Sequence, residues 1–288
     1  MLKKAIFHCS YGAGDIFESR EFVKEYIKIL GTTENYYAHG KSPYILHDMP
    51  ELKFTDVTPE MNHRTSWKII GDTILINMWI GRDSKYVLPQ IGVVVEEHFR
   101  MHNDMLRDMK MSPLSRNPYV YIPTIDYKQY AIKNVASFYG GISSEKLILI
   151  SNGPVQSNQA KNFDFTPVIK LVCDTFPEYS FVVTQNTNLR AENLFYTSEI
   201  INITTGVDLN EISYLSTLCD VVIGRNSGPH VFSQVLPNWM DRNKTSLSFT
   251  YGKGASHFVA SDNLPMKKEW SDAEDTMEVF KKICEVIE

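Results

Sequence analysis

At 288 residues the chain is longer than one ordinary α/β core and suits two domains. Its 43% hydrophobic residues, with 15 Phe, 15 Tyr and 4 Trp, and its 22% charged residues exclude a chain governed by disorder. A net charge of -5 excludes a broad phosphate-tracking surface, and nucleic acid as a partner with it, while leaving room for a local basic pocket.

The start, Met1-Leu2-Lys3-Lys4 followed by Ala5-Ile6-Phe7, imitates a signal peptide, but His8, Ser10 and Gly12 break the apolar run. No segment approaches the roughly 18 apolar residues of a membrane span. The expected location is therefore the cytoplasm, with membrane contact at most peripheral, at the inner membrane face. Cys9, Cys173, Cys219 and Cys284 lie far apart with no CxxC pair, which reads as structural thiols in a reducing compartment.

Residues 4–9 form a short apolar run predicting a strand, and Phe22, Val23, Tyr26, Ile27 and Leu30 predict a helix over 19–30. Gly12-Ala13-Gly14-Asp15 is the turn between them. It lacks the third glycine of a dinucleotide fingerprint, because Phe17 stands there. A second unit has Thr73–Asn77 as strand and 88–111 as a long helix, separated from the first by a stretch to which the pattern assigns no structure. Within that helix His98 and His102 stand four apart, the spacing of a metal pair, but Phe99 occupies the glutamate position of HExxH. A solvated face without metal is expected. Tyr36, Tyr37, His39, Trp67 and Trp79 read as core or loop packing.

Pro113, Pro118 and Pro123, interleaved with Ser112, Ser115 and Asn117, end the helix and favour an extended connection. The expected domains are 1–115 and 116–288. Beyond the boundary, residues 146–150, 181–184, 199–203 and 221–223 predict strands. Helical patterns run through 168–176 and 212–219, and a closing amphipathic helix carries Phe280, Ile283 and Val286. Strands alternating with helices imply parallel pairing, with ligands beyond the carboxyl ends of the strands.

The run Val221-Val222-Ile223-Gly224-Arg225-Asn226-Ser227-Gly228-Pro229-His230 is such a place. Proline suits the first helical position, Ser227 can cap, the free amides of a helix start attract anions, and the glycines admit close approach. A βα turn with no ligand is the alternative. The run contains no Gly-x-Ser-x-Gly elbow, so Ser227 is not read as a nucleophile.

Thr205-Gly206-Val207-Asp208-Leu209-Asn210-Glu211, continuing through Leu218-Cys219-Asp220 to Pro229, resembles the donor-domain signature of the heptosyltransferase-like GT-B glycosyltransferases. The likeness runs in order through the carboxyl-terminal half. It implies two Rossmann-like α/β domains facing a cleft, an amino-terminal acceptor domain and a carboxyl-terminal nucleotide-sugar donor domain. It also implies inverting, metal-independent transfer from a nucleotide-sugar substrate, with no cofactor, to a saccharide or lipid-linked glycan acceptor in bacterial cell-surface glycan synthesis.

Asn152-Gly153-Pro154 and Lys161 resemble the family's phosphate loop, and the resemblance implies that Lys161 neutralises diphosphate charge; a plain surface lysine is the other reading. Donor binding is assigned to Asn152, Gly153, Lys161, Arg225, Asn226, Ser227, Gly228, Pro229 and His230. Gly12 and Gly14 fall on the acceptor side, in a loop resembling the family's G.GD, whose aspartate, here Asp15, is the general base; a helix cap is the alternative for Asp15. The chain departs from the family where Asn226 replaces an aspartate and Arg225 adds a bidentate fork for phosphate or carboxylate, opening the donor position to a sugar other than heptose, an acidic one included. His230 stands one residue earlier than the family's histidine. A non-catalytic nucleotide- or glycan-binding protein and a sugar-nucleotide epimerase are the competing functions.

Overall fold

A computed structural model describes residues 2–9, 11–56, 61–83, 94–115, 117–156, 160–203, 206–226, 228–251 and 264–288. The chain divides into Met1–Ile125 and Asp126–Glu288. The division falls after Ile125 rather than after Ser115, because the proline-rich segment folds back on the first unit. There Tyr121 stacks on Phe22 with centroids 4.7 Å apart, and the Thr124 amide donates to Glu21 Oε1 at 3.0 Å.

Unit 1 is built on strands β1 (Lys4–His8), β2 (Glu34–Ala38), β3 (Lys53–Thr55), β4 (Trp67–Ile70) and β5 (Thr73–Asn77), in the order β3-β2-β1-β5-β4. All neighbours are parallel except the edge strand β4, which runs antiparallel to β5. Helices α1 (Ala13–Leu30), α2 (Ser42–Ile45) and α3 (Val94–Asp108) complete it. Helix α1 starts at Ala13, earlier than the apolar repeat predicts, since Ile16 and Phe17 already lie in the core, and it ends on Gly31 in the left-handed region at φ 61°.

The stretch to which the sequence pattern assigns no structure holds α2 and three of the five strands. Polar residues open β2, and β4 is largely exposed, so neither shows an apolar run. Residues 88–93 of the predicted long helix lie outside the described residues.

The pair on α3 corrects the expectation of a solvated face: His98 and His102 are fully buried. The Phe22 ring stacks on both, at 5.6 and 4.6 Å, and the Tyr26 hydroxyl lies 3.3 Å from His102 Nδ1. Burial pushes the His102 pKa well down, and at His8, on β1, burial followed by the charge of Arg82 lowers it to about 4. An unfolded histidine titrates near 6.5. Between those values the unfolded state takes up a proton that folded His8 refuses, so stability falls as pH falls from about 6.5 to about 4, by roughly 3 kcal/mol for this one group. Urea unfolding of the wild type is expected to show that slope, and a His8→Asn variant a shallower one; equal slopes would count against it.

Unit 2 carries β6 (Leu147–Ser151), β7 (Ser180–Val183), β8 (Leu194–Tyr196), β9 (Val221–Arg225), β10 (Thr245–Phe249) and β11 (Lys267–Ser271). They form one parallel sheet in the order β11-β10-β9-β6-β7-β8. Numbered from β6, this is the doubly wound order 3-2-1-4-5-6, whose switch point lies between β6 and β9.

Its helices are α4 (Lys133–Gly141), α5 (Thr166–Thr175), α6 (Thr197–Ile200), α7 (Leu209–Leu218), α8 (Gly228–Val231), α9 (Leu236–Trp239) and α10 (Thr276–Ile287). Alternation along the strands sends Ile148, Ile150, Val221 and Ile223 to the α5 and α10 face, and Leu147, Leu149 and Val222 to the α4 and α7 face. Both faces are thus covered, as a parallel sheet requires. The predicted strand over 199–203 is corrected: the strand is β8, and Ile200, the last residue of α6, and Ile201, which caps it, enter the core consecutively. Strands β8, β10 and β11 are absent from the sequence-based expectation. Among the described residues no helix is long and apolar enough to cross a membrane.

Candidate functional site

The switch point of unit 2 collects most of the residues assigned to the donor. Strand β9 runs on through Gly224 and Arg225, where the sequence pattern predicts a turn, and Gly224 pairs with Ser151 at the end of β6. A Cβ at Gly224 would fall 2.7 Å from the Ser151 Cβ and 2.9 Å from the His230 Cβ. Glycine is needed there because three chain segments meet, not because of its φ.

Arg225 is 2% exposed, and its guanidinium faces the loop that follows β6. Nε donates to the Lys161 carbonyl at 3.0 Å, Nη1 to those of Asn152 and Gly153 at 2.7 and 2.9 Å, and Nη2 to that of Phe163. The rings of Phe163 and Phe165 each lie 4.6 Å from its central carbon, a cation–π arrangement. Burial lowers its pKa to about 10, so it stays charged near neutrality. This corrects the reading of Arg225 as a fork for phosphate: four of the five N–H groups of a guanidinium bind backbone carbonyls, and the side chain instead fixes the shape of the loop.

Carboxamides finish the loop. Asn152 accepts from the Gln185 amide at 2.8 Å and donates to the Gln185 carbonyl at 3.0 Å, joining the ends of β6 and β7. Asn162 holds Val155 by a reciprocal pair at 2.7 and 3.0 Å. Between these groups lies a cavity of about 250 Å³ whose polar lining includes Asn152, Asn162, Asp164, Gln185, Asn186 and Arg225, with Phe163 and Phe165 beside them. Of these only Asn152 and Arg225 are assigned from the sequence. Gln185-Asn186-Thr187 directly after an apolar strand is the legible signal for the others, since ligands sit beyond strand ends.

The remaining donor residues divide. Lys161 Nζ lies 2.9 Å from Glu274 Oε1, and that hydrogen bond raises its pKa. Asn226 is buried, its amide donating to the Phe249 carbonyl at 3.2 Å. His230 is buried with Nε2 2.9 Å from Ser248 Oγ. Gly228 takes a left-handed φ of 39°, which glycine accepts freely. Ser227 lies outside the described residues. Pro229 sits within α8, which is a single turn, so the aligned amides and dipole of a helix start are there those of one turn.

In unit 1, Asp15 lies in the first turn of α1, and its Oδ2 accepts the Gly12 amide at 3.2 Å. Gly12 is therefore the capping position, with Gly14 one residue into the helix, and the Asp15 carboxylate reaches back over the turn. Among the described residues no group of three His, Cys, Asp or Glu is placed to hold a metal ion.

No family model matches the chain, and no curated protein matches it. Solved structures do. E. coli heptosyltransferase WaaC with ADP matches at 6% identity and a TM-score of 0.53, covering 98% of this chain and 97% of its own. A glycosyl transferase family 9 protein from Veillonella parvula matches at 13% identity and a TM-score of 0.48, covering 98% and 91%. UDP-GlcNAc 2-epimerase from Neisseria meningitidis bound to UDP-GlcNAc matches at 12% identity and a TM-score of 0.45, covering 100% and 91%. The protein has the two-unit α/β fold of the GT-B glycosyltransferases, and at these identities the likeness is one of fold.

Proposed function

We propose that the protein is a glycosyltransferase that moves a sugar from a nucleotide-diphosphate donor to a saccharide or lipid-linked glycan acceptor in cell-surface glycan synthesis. The observation that carries this reading is the polar cavity at the strand ends of unit 2, lined by carboxamides and Asp164 and bounded by the loop that Arg225 fixes. Carboxamides that donate and accept, beside the Asp164 carboxylate that accepts, suit a nucleoside, whose base offers both and whose ribose hydroxyls donate. The donor is bound by unit 2.

The diphosphate is met by the amides around Gly228–His230 and by Lys161, exchanging Glu274 for phosphate, with no metal step and no cofactor. In unit 1 the Asp15 carboxylate takes the proton of the acceptor hydroxyl. The hydroxyl oxygen bonds to the anomeric carbon on the face opposite the leaving diphosphate, the bond to the diphosphate breaks, and the anomeric configuration inverts. Stabilising the departing diphosphate is the largest task, and fixed amides do it without reorganisation.

A thermal-shift screen with ADP, UDP, GDP and their sugar derivatives tests the reading. A nucleotide present at about a hundred times its Kd is expected to add about 2.7 kcal/mol of apparent stability, seen as a rise of several degrees in Tm. No shift with any of them defeats the reading, and turnover of a sugar nucleotide without an acceptor would redirect it to epimerisation.

A further inference from the structure

Unit 1 has a switch point of its own, between β1 and β5, and two aromatic side chains meet there. Tyr11, shortly after β1, stacks on Trp79, shortly after β5, with centroids 3.9 Å apart and planes inclined by 22°. Both are held in place from behind. The Trp79 amide donates to Asn77 Oδ1 at 3.0 Å, and a Cβ at Gly81 would fall 2.3 Å from the indole, so the ring packs against Gly81 too closely for a side chain there. His39 Nδ1 accepts the Lys41 amide at 3.0 Å, which leaves its proton on Nε2, donated to the Tyr11 carbonyl at 2.9 Å. Tyr11 itself is 52% exposed.

We infer that the exposed face of Tyr11, backed by Trp79, is a stacking platform for a pyranose ring of a neutral saccharide. The π-face of an aromatic ring carries partial negative charge and attracts the slightly positive C–H groups on one face of a sugar. The platform lies next to Gly12, whose amide binds the Asp15 carboxylate, so an anionic nucleotide or phosphate seated here would meet a like charge, whereas sugar hydroxyls can donate to it. A rigid aromatic pair also costs little side-chain entropy on binding. That the saccharide is the acceptor of the transfer rests on the reading in the preceding subsection; the platform itself does not.

Saturation-transfer NMR with methyl β-D-glucopyranoside, methyl α-D-mannopyranoside and methyl α-D-galactopyranoside tests it. At least one of them is expected to receive saturation on the C–H groups of one ring face in the wild type and in Tyr11→Phe. Affinity is expected to fall at least tenfold in Tyr11→Leu and Tyr11→Ala, with circular dichroism unchanged. Undiminished binding in Tyr11→Leu and Tyr11→Ala, no binding of any glycoside to the wild type, or adenosine occupying Tyr11 in their place overturns the inference. Nucleotide thermal shifts on the same samples separate the two readings: nucleotide binding without glycoside binding removes the platform alone, and glycoside binding without nucleotide binding removes the donor reading alone.

Discussion

Arg225→Ala is expected to destabilise unit 2 by about 3–5 kcal/mol and to abolish the nucleotide-induced rise in Tm. The magnitude follows from the carbonyls left behind: those of Asn152, Gly153, Lys161 and Phe163 lose their donor together, and an unsatisfied buried acceptor costs roughly 1–3 kcal/mol before water enters the gap. Arg225→Lys is expected to recover less than half of the loss, because a compact ammonium neither spans carbonyls on several sides nor lies flat between Phe163 and Phe165. Urea unfolding followed through Trp239, buried in unit 2, gives the stability. A variant within about 1 kcal/mol of the wild type would show that the loop keeps its shape by other means.

Asp15→Asn is expected to lower kcat by about 10²–10⁴, the usual contribution of a general base, with nucleotide binding unchanged. The substitution separates the two roles open to this side chain. An asparagine retains an oxygen that can accept the Gly12 amide, so α1 stays capped and stability is expected to move by no more than about 0.5 kcal/mol, while the ability to take up a proton is lost. Full activity with normal stability rules out the base; a large loss of stability assigns Asp15 to the cap instead.

The legible parts of the fold are those in which apolar residues cluster along a short run. Residues 73–77 and 221–223 are buried strands with little polar to interrupt them. Strands β2 and β4 are hidden from such a reading because each has polar or exposed positions that an edge or near-edge place in the sheet permits. Gly12, Asp15, Asn152, Gly153 and the run from Gly224 are legible as turns after strands, because glycine-bearing turns stand out from the sequence. What Arg225 does is not legible, since a fork fitted to phosphate fits carbonyls equally well and only the position of the loop decides between them. His98 and His102, expected on a solvated face, are misplaced for a related reason: a spacing of four puts two rings on one helix face, and only the packing of Phe22 against them decides that the face is buried.

The four bonds of Arg225 also join positions 62 to 73 residues apart in the chain. Such contacts form only after the intervening α5, β7, β8 and α7 have been gathered and β9 has docked beside β6, so the loop belongs to the closing stage of folding. A ligand that needs that loop is then expected to find little to hold in the transition state. Its benefit is expected to fall on the unfolding rate, lengthening the lifetime of the folded chain while leaving the speed of its formation unchanged.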